Sequence, residues 1–327
     1  MSLAQPVIDK STEHSYITTH KYSIYTEITM AKILSFFDFQ DSFPDEQACF
    51  DYLFKLRWPD GFKCPQCQHD QASFISTRKL FQCSSCRYQA SVTAGTVFHK
   101  LRQPLQKLFL AVFLFSTSKK GISAMELQRK SGIKTYRSAW TLLHKLREGM
   151  KSSGLFPLTG PVEVDETYIG GSREGTRGRG AEGKVLVAAE TKEKKKMGRA
   201  YLEPIQDAGK KELGQFVKDH VEPGTKLFTD GWKSYDHLKG LYQHIPNTQH
   251  ETEKSGETLP KVHIVITNVK TWLRGTLNRY PDEKYMPRYL DEFEFRFNRR
   301  WNLFNIFDKL LTRCIQRSTI TLAELMT

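Results

Sequence analysis

The sequence predicts a multidomain α+β and α/β protein built from a small cysteine-containing ribbon, a helical region, and a mixed sheet flanked by helices. Three observations carry this prediction. Four cysteines form two close pairs between positions 64 and 86. A stretch with helical periodicity and a central glycine follows them. After a linker, the pattern of apolar residues indicates strand, strand, strand, helix, strand, helix.

Composition limits the kinds of partner. The chain has 327 residues, enough for about two or three domains, and 39% of them are hydrophobic, enough for packed cores. Lysine and arginine outnumber aspartate and glutamate, 49 to 36. This excess favours a polyanionic partner, nucleic acid before an anionic membrane. With no apolar run of ~18–20 residues and no signal-peptide pattern, we expect a soluble, cytoplasmic protein without a membrane partner.

Shifts in composition divide the chain into segments. The first segment is polar and weakly patterned, and we interpret it as a poorly ordered extension. The linker at 152–160 is rich in serine, glycine and proline. The predicted segments are an extension at 1–33, a short helix (43–58) with the cysteine ribbon at 34–100, a helical region at 101–151, a sheet domain at 160–315, and a tail at 316–327.

The cysteine pairs have the spacing of a metal site. Each pair is a CxxC turn, Cys64 with Cys67 and Cys83 with Cys86, and fifteen residues separate the turns. One such turn presents two thiolates on one side, so two turns complete a tetrahedron around Zn²⁺. Short strands at 73–77 and 79–82 would form the hairpin between them. The sequence therefore predicts one structural zinc ion in a zinc ribbon.

The helical region has the layout of a helix-turn-helix. An apolar helix at 105–116 precedes a helix at 123–130, a turn containing Gly132, and a second helix at 135–150. Helical hairpins with a glycine turn also occur in bundles that bind no DNA. If the motif reads DNA, its contacts come from the start of the second helix, namely Lys134, Thr135, Tyr136 and Arg137.

The sheet domain begins with PVEVDETYIGG at 161–171, a strand-like run that carries the adjacent acids Asp165 and Glu166. A half-buried carboxylate needs a partner, which is a metal ion or the solvent beside an edge strand. Side chains alternate along a strand, so Glu166 is predicted to point to the face opposite Asp165. A loop rich in glycine and arginine follows, with Arg177 and Arg179 as candidate DNA contacts.

The later elements predict how the acids meet. Asp230 ends the fourth predicted strand, and the order of elements is that of the ribonuclease-H-like fold, in which the first and fourth strands are neighbours. Asp165 and Asp230 would then converge and bind Mg²⁺ or Mn²⁺, and we expect a pair of ions. The remaining predicted elements are strands at 184–190, 199–205 and 225–229, helices at 210–220 and 262–277, a polar loop at 240–260, and one long helix at 287–315 whose stripe of Leu290, Phe293, Phe297, Trp301 and Phe304 faces a core.

Together these motifs resemble a bacterial insertion-sequence transposase of the DDE superfamily, in the subgroup with an N-terminal zinc ribbon and an Asp-Asp-Asn-type triad. The matching segments are VDETYIGG, GRGAEGK, TDGWKSY, HIVITNVKTWLRGT and YLDEFEFRFNRR. The resemblance implies that Asp165 and Asp230 are the first two catalytic acids and that Lys270 contacts a terminal phosphate or base. Related families place glutamate seven residues before that lysine, where this chain has His263; Asn268 lies in the same segment, and both stay candidates. The nearest acids lie in the preceding loop and could substitute only if that loop folds inward, namely Glu251, Glu253 and Glu257.

The resemblance implies a function. The protein would bind the terminal inverted repeats of an insertion sequence, hydrolyse phosphodiester bonds at the element's ends, and transfer the freed strand to target DNA. Bringing two ends together implies a homodimer or larger assembly on double-stranded DNA, associated with the nucleoid. Two alternatives remain: a DNA-binding regulator with a relic catalytic core, and a metal-dependent nuclease that transfers no strand.

Overall fold

The computed structural model describes residues 35–170, 183–247, 259–277 and 280–326. The predicted extension at 1–33 lies outside these ranges. The described residues form three hydrophobic cores, one in the N-terminal half and one on each face of a five-stranded sheet. Within the same ranges, no helix combines the length and apolarity that a membrane span requires.

The N-terminal part combines two helices with a three-stranded antiparallel ribbon. Ser35 and Asp45 begin the helices, each accepting a hydrogen bond from a backbone N–H three residues ahead. Rings of the second helix pack on Phe81 of the ribbon, and this contact seats the ribbon on the helix. The elements are α1 (Phe36–Ser42), α2 (Glu46–Arg57), β1 (Ala72–Ile75), β2 (Leu80–Cys83) and β3 (Gln89–Ala90).

Three helices follow, each within one residue of its predicted bounds: α3 (Leu105–Thr117), α4 (Ala124–Ser131) and α5 (Tyr136–Met150). The side chains of Ser123 and Thr135 cap α4 and α5. Gly132 ends α4 in the left-handed region at φ 63°, a conformation that glycine adopts without steric cost. The turn between α4 and α5 therefore has the local chemistry of a helix-turn-helix.

The C-terminal half is built on a mixed sheet in the order β6-β5-β4-β7-β8. β4 pairs antiparallel with β5 and parallel with β7, so the predicted neighbourhood of the first and fourth strands of this domain is confirmed. The segment predicted as a loop at 240–260 contains a strand, β8, which pairs in parallel with β7. The elements are β4 (Val162–Ile169), β5 (Gly183–Thr191), β6 (Met197–Ile205), α6 (Lys210–His220), β7 (Lys226–Thr229), β8 (Gln243–Pro246), α7 (Pro260–Leu277), α8 (Met286–Phe297), α9 (Ile306–Gln316) and α10 (Leu322–Met326).

Alternation along the strands assigns each face of the sheet to one layer of helices. Val185 and Val187 of β5 belong to the core beneath α7 and α8, whereas Leu186 and Ala188 belong to the core beneath α6. Asp165 is paired with Val187, and Glu166 with Leu186. The two neighbouring acids therefore start on opposite faces of the sheet.

The prediction of one long helix over 287–315 is wrong, because α8 ends at Phe297 and α9 starts only at Ile306. The amide group of Asn298 exchanges two hydrogen bonds of 2.8 Å with the backbone of Ala200 on the edge strand β6. This pairing holds Asn298 at the edge of the sheet, and the α-helix does not continue beyond it. Trp301 is consequently 84% exposed and Phe304 also lies at the surface, so neither residue faces a core.

The helix after this break, α9, packs in the N-terminal core rather than against the sheet. Phe307, Leu310 and Cys314 are buried there with residues of α2, α3 and α5. Gly149 of α5 permits the close approach, since a Cβ at this position would overlap Sγ of Cys314. The last helix of the predicted sheet domain thus belongs to the core of the other half of the chain.

A buried ion-pair cluster also joins the two halves. Glu292 on α8 is fully buried and lies 2.8 Å from Nε of Arg147 on α5. Its other oxygen lies 2.9 Å from the guanidinium of Arg296, which also donates to carbonyl groups at the end of α3. One carboxylate thereby ties the helix-turn-helix to a helix that covers the sheet.

Replacing Glu292 with glutamine should lower the free energy of unfolding by about 3 kcal/mol, because two buried guanidinium groups lose their counter-charge. Denaturant titration of the purified chain measures the effect. Glu126→Gln is the matched control, since Glu126 pairs with Lys130 at the surface and its loss should change stability by about 0.5 kcal/mol or less. Equal effects of the two substitutions would contradict a central role for Glu292.

Candidate active site

β4 is flanked unequally by its two neighbours. β5 pairs with β4 along its whole length, whereas β7 pairs only with Val162 and Glu163. Thr229 ends β7, and Asp230 follows directly. Among the residues that the structure describes, one edge of β4 therefore has no paired strand from Asp165 onwards, beside the carboxyl end of the parallel strand β7. In open sheets, ligands bind in such a position.

Three carboxylates meet at this edge. One oxygen from each of Asp165, Glu166 and Asp230 lies within 4.8 Å of the other two. Carboxylate oxygens are the ligands that Mg²⁺ and Mn²⁺ prefer, so the donor set fits a hard divalent cation. The structure thus brings together the two predicted acids, Asp165 and Asp230; their role as metal ligands stays a prediction.

The predicted face of Glu166 agrees with the strand register, but the position of its carboxylate was not predicted. The strand register does place this residue on the face opposite Asp165, as alternation requires. Its carboxylate nevertheless reaches the other two acids, because β7 stops at Thr229 and leaves the edge between the faces open. The sequence shows the alternation but not where the neighbouring strand ends.

Hydrogen bonds from the neighbouring backbone hold the two aspartates. Oδ1 of Asp165 accepts the backbone N–H of Glu166 at 2.9 Å. Oδ1 of Asp230 accepts the N–H of Trp232 at 3.0 Å, across Gly231 at φ 84°. An aspartate whose oxygen bonds the backbone two residues ahead forms an Asx turn, which restricts its side chain. Both carboxylates are therefore oriented by their own backbone.

The electrostatics of the site favour a bound cation. Burial, followed by the nearby negative charge of Asp230, raises the pKa of Asp165 from 3.8 to about 6. Two carboxylates held close together repel each other, and a divalent cation between them removes that repulsion. The cluster has the electrostatic character of a metal site.

α7 brings a histidine to the same place. Nε2 of His263 lies 3.7 Å from Oδ2 of Asp165. The helix is held there by Glu163, whose carboxylate accepts the backbone N–H groups of Lys261 at 2.6 Å and Val262 at 2.9 Å. Glu163 lies two residues before Asp165 on the same face of β4, so one strand fixes both the helix and the acid. Sequence reasoning missed this role, although the spacing of Glu163 and Asp165 indicated a shared face.

The other two candidates on α7 lie differently. Asn268 is exposed and follows His263 by five residues, which turns it about 140° around the helix axis. Lys270 is half-buried and follows His263 by seven residues, which returns it to nearly the same side. Helix geometry therefore groups Lys270 with His263 and separates Asn268 from both.

The four predicted DNA contacts of the helix-turn-helix, Lys134, Thr135, Tyr136 and Arg137, are exposed around the start of α5. The hydroxyl of Thr135 accepts the N–H of Ser138 at 3.2 Å and so sets the first turn. Arg177 and Arg179 lie outside the described residues, as do the acids at 251, 253 and 257. Contact of these residues with DNA stays a prediction.

The four predicted zinc ligands form a compact cluster. Sγ of Cys64 lies 3.6 Å from Sγ of Cys86, and the same distance separates Cys67 from Cys83. Zn–S bonds of 2.3 Å give tetrahedral edges of about 3.8 Å, so the thiolates fit one zinc ion. The two CxxC turns have matching backbone hydrogen bonds, with the N–H of Cys64 and of Cys83 each donating to the carbonyl five residues later.

Comparison with known families adds to this geometry. Residues 157–298 match the family model of the ISXO2-like transposase domain. Residues 44–89 match the model of the transposase zinc-ribbon domain. Over these two ranges the chain is similar to transposases. The first match spans the sheet with Asp165, Asp230 and His263, and the second spans all four cysteines.

A curated relative agrees with these matches. The chain is 28% identical over 218 residues to an uncharacterized protein in the transposable element ISH50 of Halobacterium salinarum. The alignment covers 60% of this chain and 71% of the relative. The similarity thus places a related sequence within a transposable element.

Asp165→Asn should stabilise the metal-free protein at pH 7.5, and by only about half as much at pH 5. The folded chain binds a proton at Asp165 up to about pH 6 and the unfolded chain only to about 3.8, so the wild type loses stability as pH rises from about 3.8 to 6. The loss is at most about 3 kcal/mol. Thermal unfolding in chelator measures it, with the exposed Asp60→Asn as control. A benefit that is equal at both pH values would contradict this account.

Proposed function

We propose that this protein is a DNA transposase that cleaves and joins DNA at the ends of an insertion sequence. One observation carries the proposal: Asp165 and Asp230, from distant parts of the sequence, meet at the open edge of β4 inside the matched transposase domain. The strand order supports a ribonuclease-H-like core. The basic chain, the zinc ribbon and the exposed start of α5 support binding to the terminal repeats.

The chain's own residues divide the work at the acidic site. Mg²⁺ or Mn²⁺, when held there, would stabilise charge on the attacking and leaving oxygens of an in-line displacement at phosphorus. Asp165 and Asp230 would hold the cation, and the backbone N–H groups of Glu166 and Trp232 keep one oxygen of each in place before DNA arrives. Lys270 contributes a positive charge on the same side of α7 for a DNA phosphate. Hydrolysis and strand transfer need the same charge stabilisation, so one site serves both steps.

We infer that His263 takes the third position of the site, in preference to Asn268. Its ring nitrogen lies 3.7 Å from Asp165, whereas Asn268 is exposed on another side of α7. Histidine can ligate a cation or orient a neighbouring carboxylate, but it adds no negative charge. The triad of this chain is then aspartate, aspartate and histidine.

Transposition joins two element ends in one event, so the proposal includes two or more copies of the chain on DNA. The buried cluster around Glu292 fixes α5 to the sheet domain within each copy. A DNA end bound at the start of α5 is thereby held in a defined position relative to the acids of that copy or its neighbour.

Asp165→Asn and Asp230→Asn should each lower strand joining by about a thousandfold or more, since each removes a charge that stabilises the transition state. The substrate is duplex DNA carrying the inverted repeats that flank the gene, assayed with Mg²⁺ and a target plasmid. Binding of the repeats, measured by gel shift, should stay within about twofold. Asp236→Asn is the matched control, because Asp236 is an exposed acid nearby that pairs with Lys239.

The outcomes of this assay separate the alternatives. Cleavage without joining would identify a nuclease, and repeat binding with neither reaction would identify a DNA-binding regulator. Full activity of either aspartate variant would show that the acidic cluster is not the catalytic site.

His263→Ala should lower joining by about 10- to 100-fold, the range for groups that orient or complete a metal site. Asn268→Ala should leave the rate within about twofold, because its side chain points to solvent. The two variants are compared on pre-cleaved DNA ends, which isolates the joining step. The reverse ranking would assign the third position to Asn268.

A further inference from the structure

Glu166 contributes the third carboxylate of the acidic cluster, although sequence alternation points it away from Asp165. It starts on the face of the sheet covered by α6, opposite Leu186, while its carboxylate comes within 4.8 Å of both aspartates. Three carboxylates in such proximity are costly unless a cation or hydrogen-bond donors neutralise them. Acidic residues also cluster on protein surfaces without binding a ligand. A second feature, in the core on the same face as Glu166, points to a bound ligand at this cluster.

That feature is Tyr235, in the 3₁₀ turn Lys233–Leu238 that follows Asp230. Its side chain is fully buried in the core on the same face as Glu166. Among the described residues, its hydroxyl has no hydrogen-bond partner. A buried hydroxyl without a partner costs about 1–3 kcal/mol, and phenylalanine would fill the same space without that cost. A tyrosine here is therefore unfavourable for packing alone.

The charged groups near Tyr235 indicate a role for its hydroxyl as a hydrogen-bond donor. After burial, the charges that raise its pKa are those of Glu166, Asp230 and Asp165, in that order. The phenol stays protonated, so it is a hydrogen-bond donor within electrostatic reach of the three carboxylates. Tyr242, a buried tyrosine of the same core, is different, since its hydroxyl donates to the carbonyl of Val221 at 3.2 Å.

We propose that Glu166 is a third metal-binding carboxylate of the site and that Tyr235 is its positioning residue, donating a hydrogen bond to that carboxylate when a divalent cation is bound. This inference rests on the proposed function. It also concerns the net charge of the metal ligands, because the two aspartates supply two negative charges and His263 adds none. With Glu166, the ligands carry three negative charges, which suits one or two divalent cations better.

The test is Mn²⁺ binding to the zinc-loaded full-length chain, followed by electron paramagnetic resonance of the free ion. Mn²⁺ takes oxygen ligands and leaves the thiolate site to zinc. Glu166→Gln should raise the Kd for Mn²⁺ about tenfold or more, as Asp165→Asn does. Tyr235→Phe should raise it about tenfold, the lower end of the range for residues that orient ligands. Tyr242→Phe and Glu203→Gln, the latter at an exposed acid on β6, should stay within about twofold.

A second readout separates positioning from packing. In chelator, Tyr235→Phe should unfold at the same temperature as wild type or higher, because it removes an unpaired buried hydroxyl. Affinity for Mn²⁺ and thermal stability should thus move in opposite directions. A lower unfolding temperature with unchanged affinity would show that Tyr235 serves the core only and would overturn its assignment.

The remaining outcomes distinguish this inference from the function on which it rests. Wild-type affinity in Glu166→Gln together with weak binding in Asp165→Asn would overturn the role of Glu166 and leave the proposed function intact. Wild-type affinity in Asp165→Asn would instead overturn the metal site itself.

Discussion

Two backbone N–H groups at the start of α7, those of Lys261 and Val262, donate to the buried carboxylate of Glu163 on β4. The start of a helix carries unpaired N–H groups and a partial positive charge, so a carboxylate there is stabilised and in turn fixes the helix. Glu163 shares its strand face with Asp165, two residues later. The distance between His263 and Asp165 therefore follows from a contact between residues about a hundred positions apart.

A small number of buried contacts also joins the two halves of the chain. Glu292 accepts from Arg147 and Arg296, and α9 returns to the N-terminal core after the chain leaves α8. A buried carboxylate with two guanidinium partners permits little sliding, since any shift leaves charges unpaired away from water. The helix-turn-helix and the sheet are thus held together by charge and by a helix that crosses between cores. Under the proposed function, this rigidity would hold bound DNA in a fixed position relative to the acidic site.

Much of the fold could be predicted from local patterns. The CxxC pairs, the capped helices around Gly132 and the order of elements after the linker all depend on residues close in sequence. The break between α8 and α9 could not be predicted, because it depends on Asn298 meeting the edge strand β6. The apolar stripe continued through Trp301, but a tertiary hydrogen bond ended the helix before that residue. β8 was missed for a similar reason, since a short polar strand is defined by its partner β7.

The acidic site also depends on a contact between strands that local sequence patterns do not show. The alternation of side chains correctly assigned Asp165 and Glu166 to opposite faces of β4. Alternation alone would predict that only one of the two carboxylates belongs to a given site. What decides the outcome is the length of β7, which ends at Thr229 and leaves the edge of β4 open beside Asp230. An open edge lets side chains from both faces reach one point, and the core on the second face then becomes part of the site. Tyr235 lies in that core, so the short length of β7 places a buried residue of the second face on the same side of the sheet as Glu166.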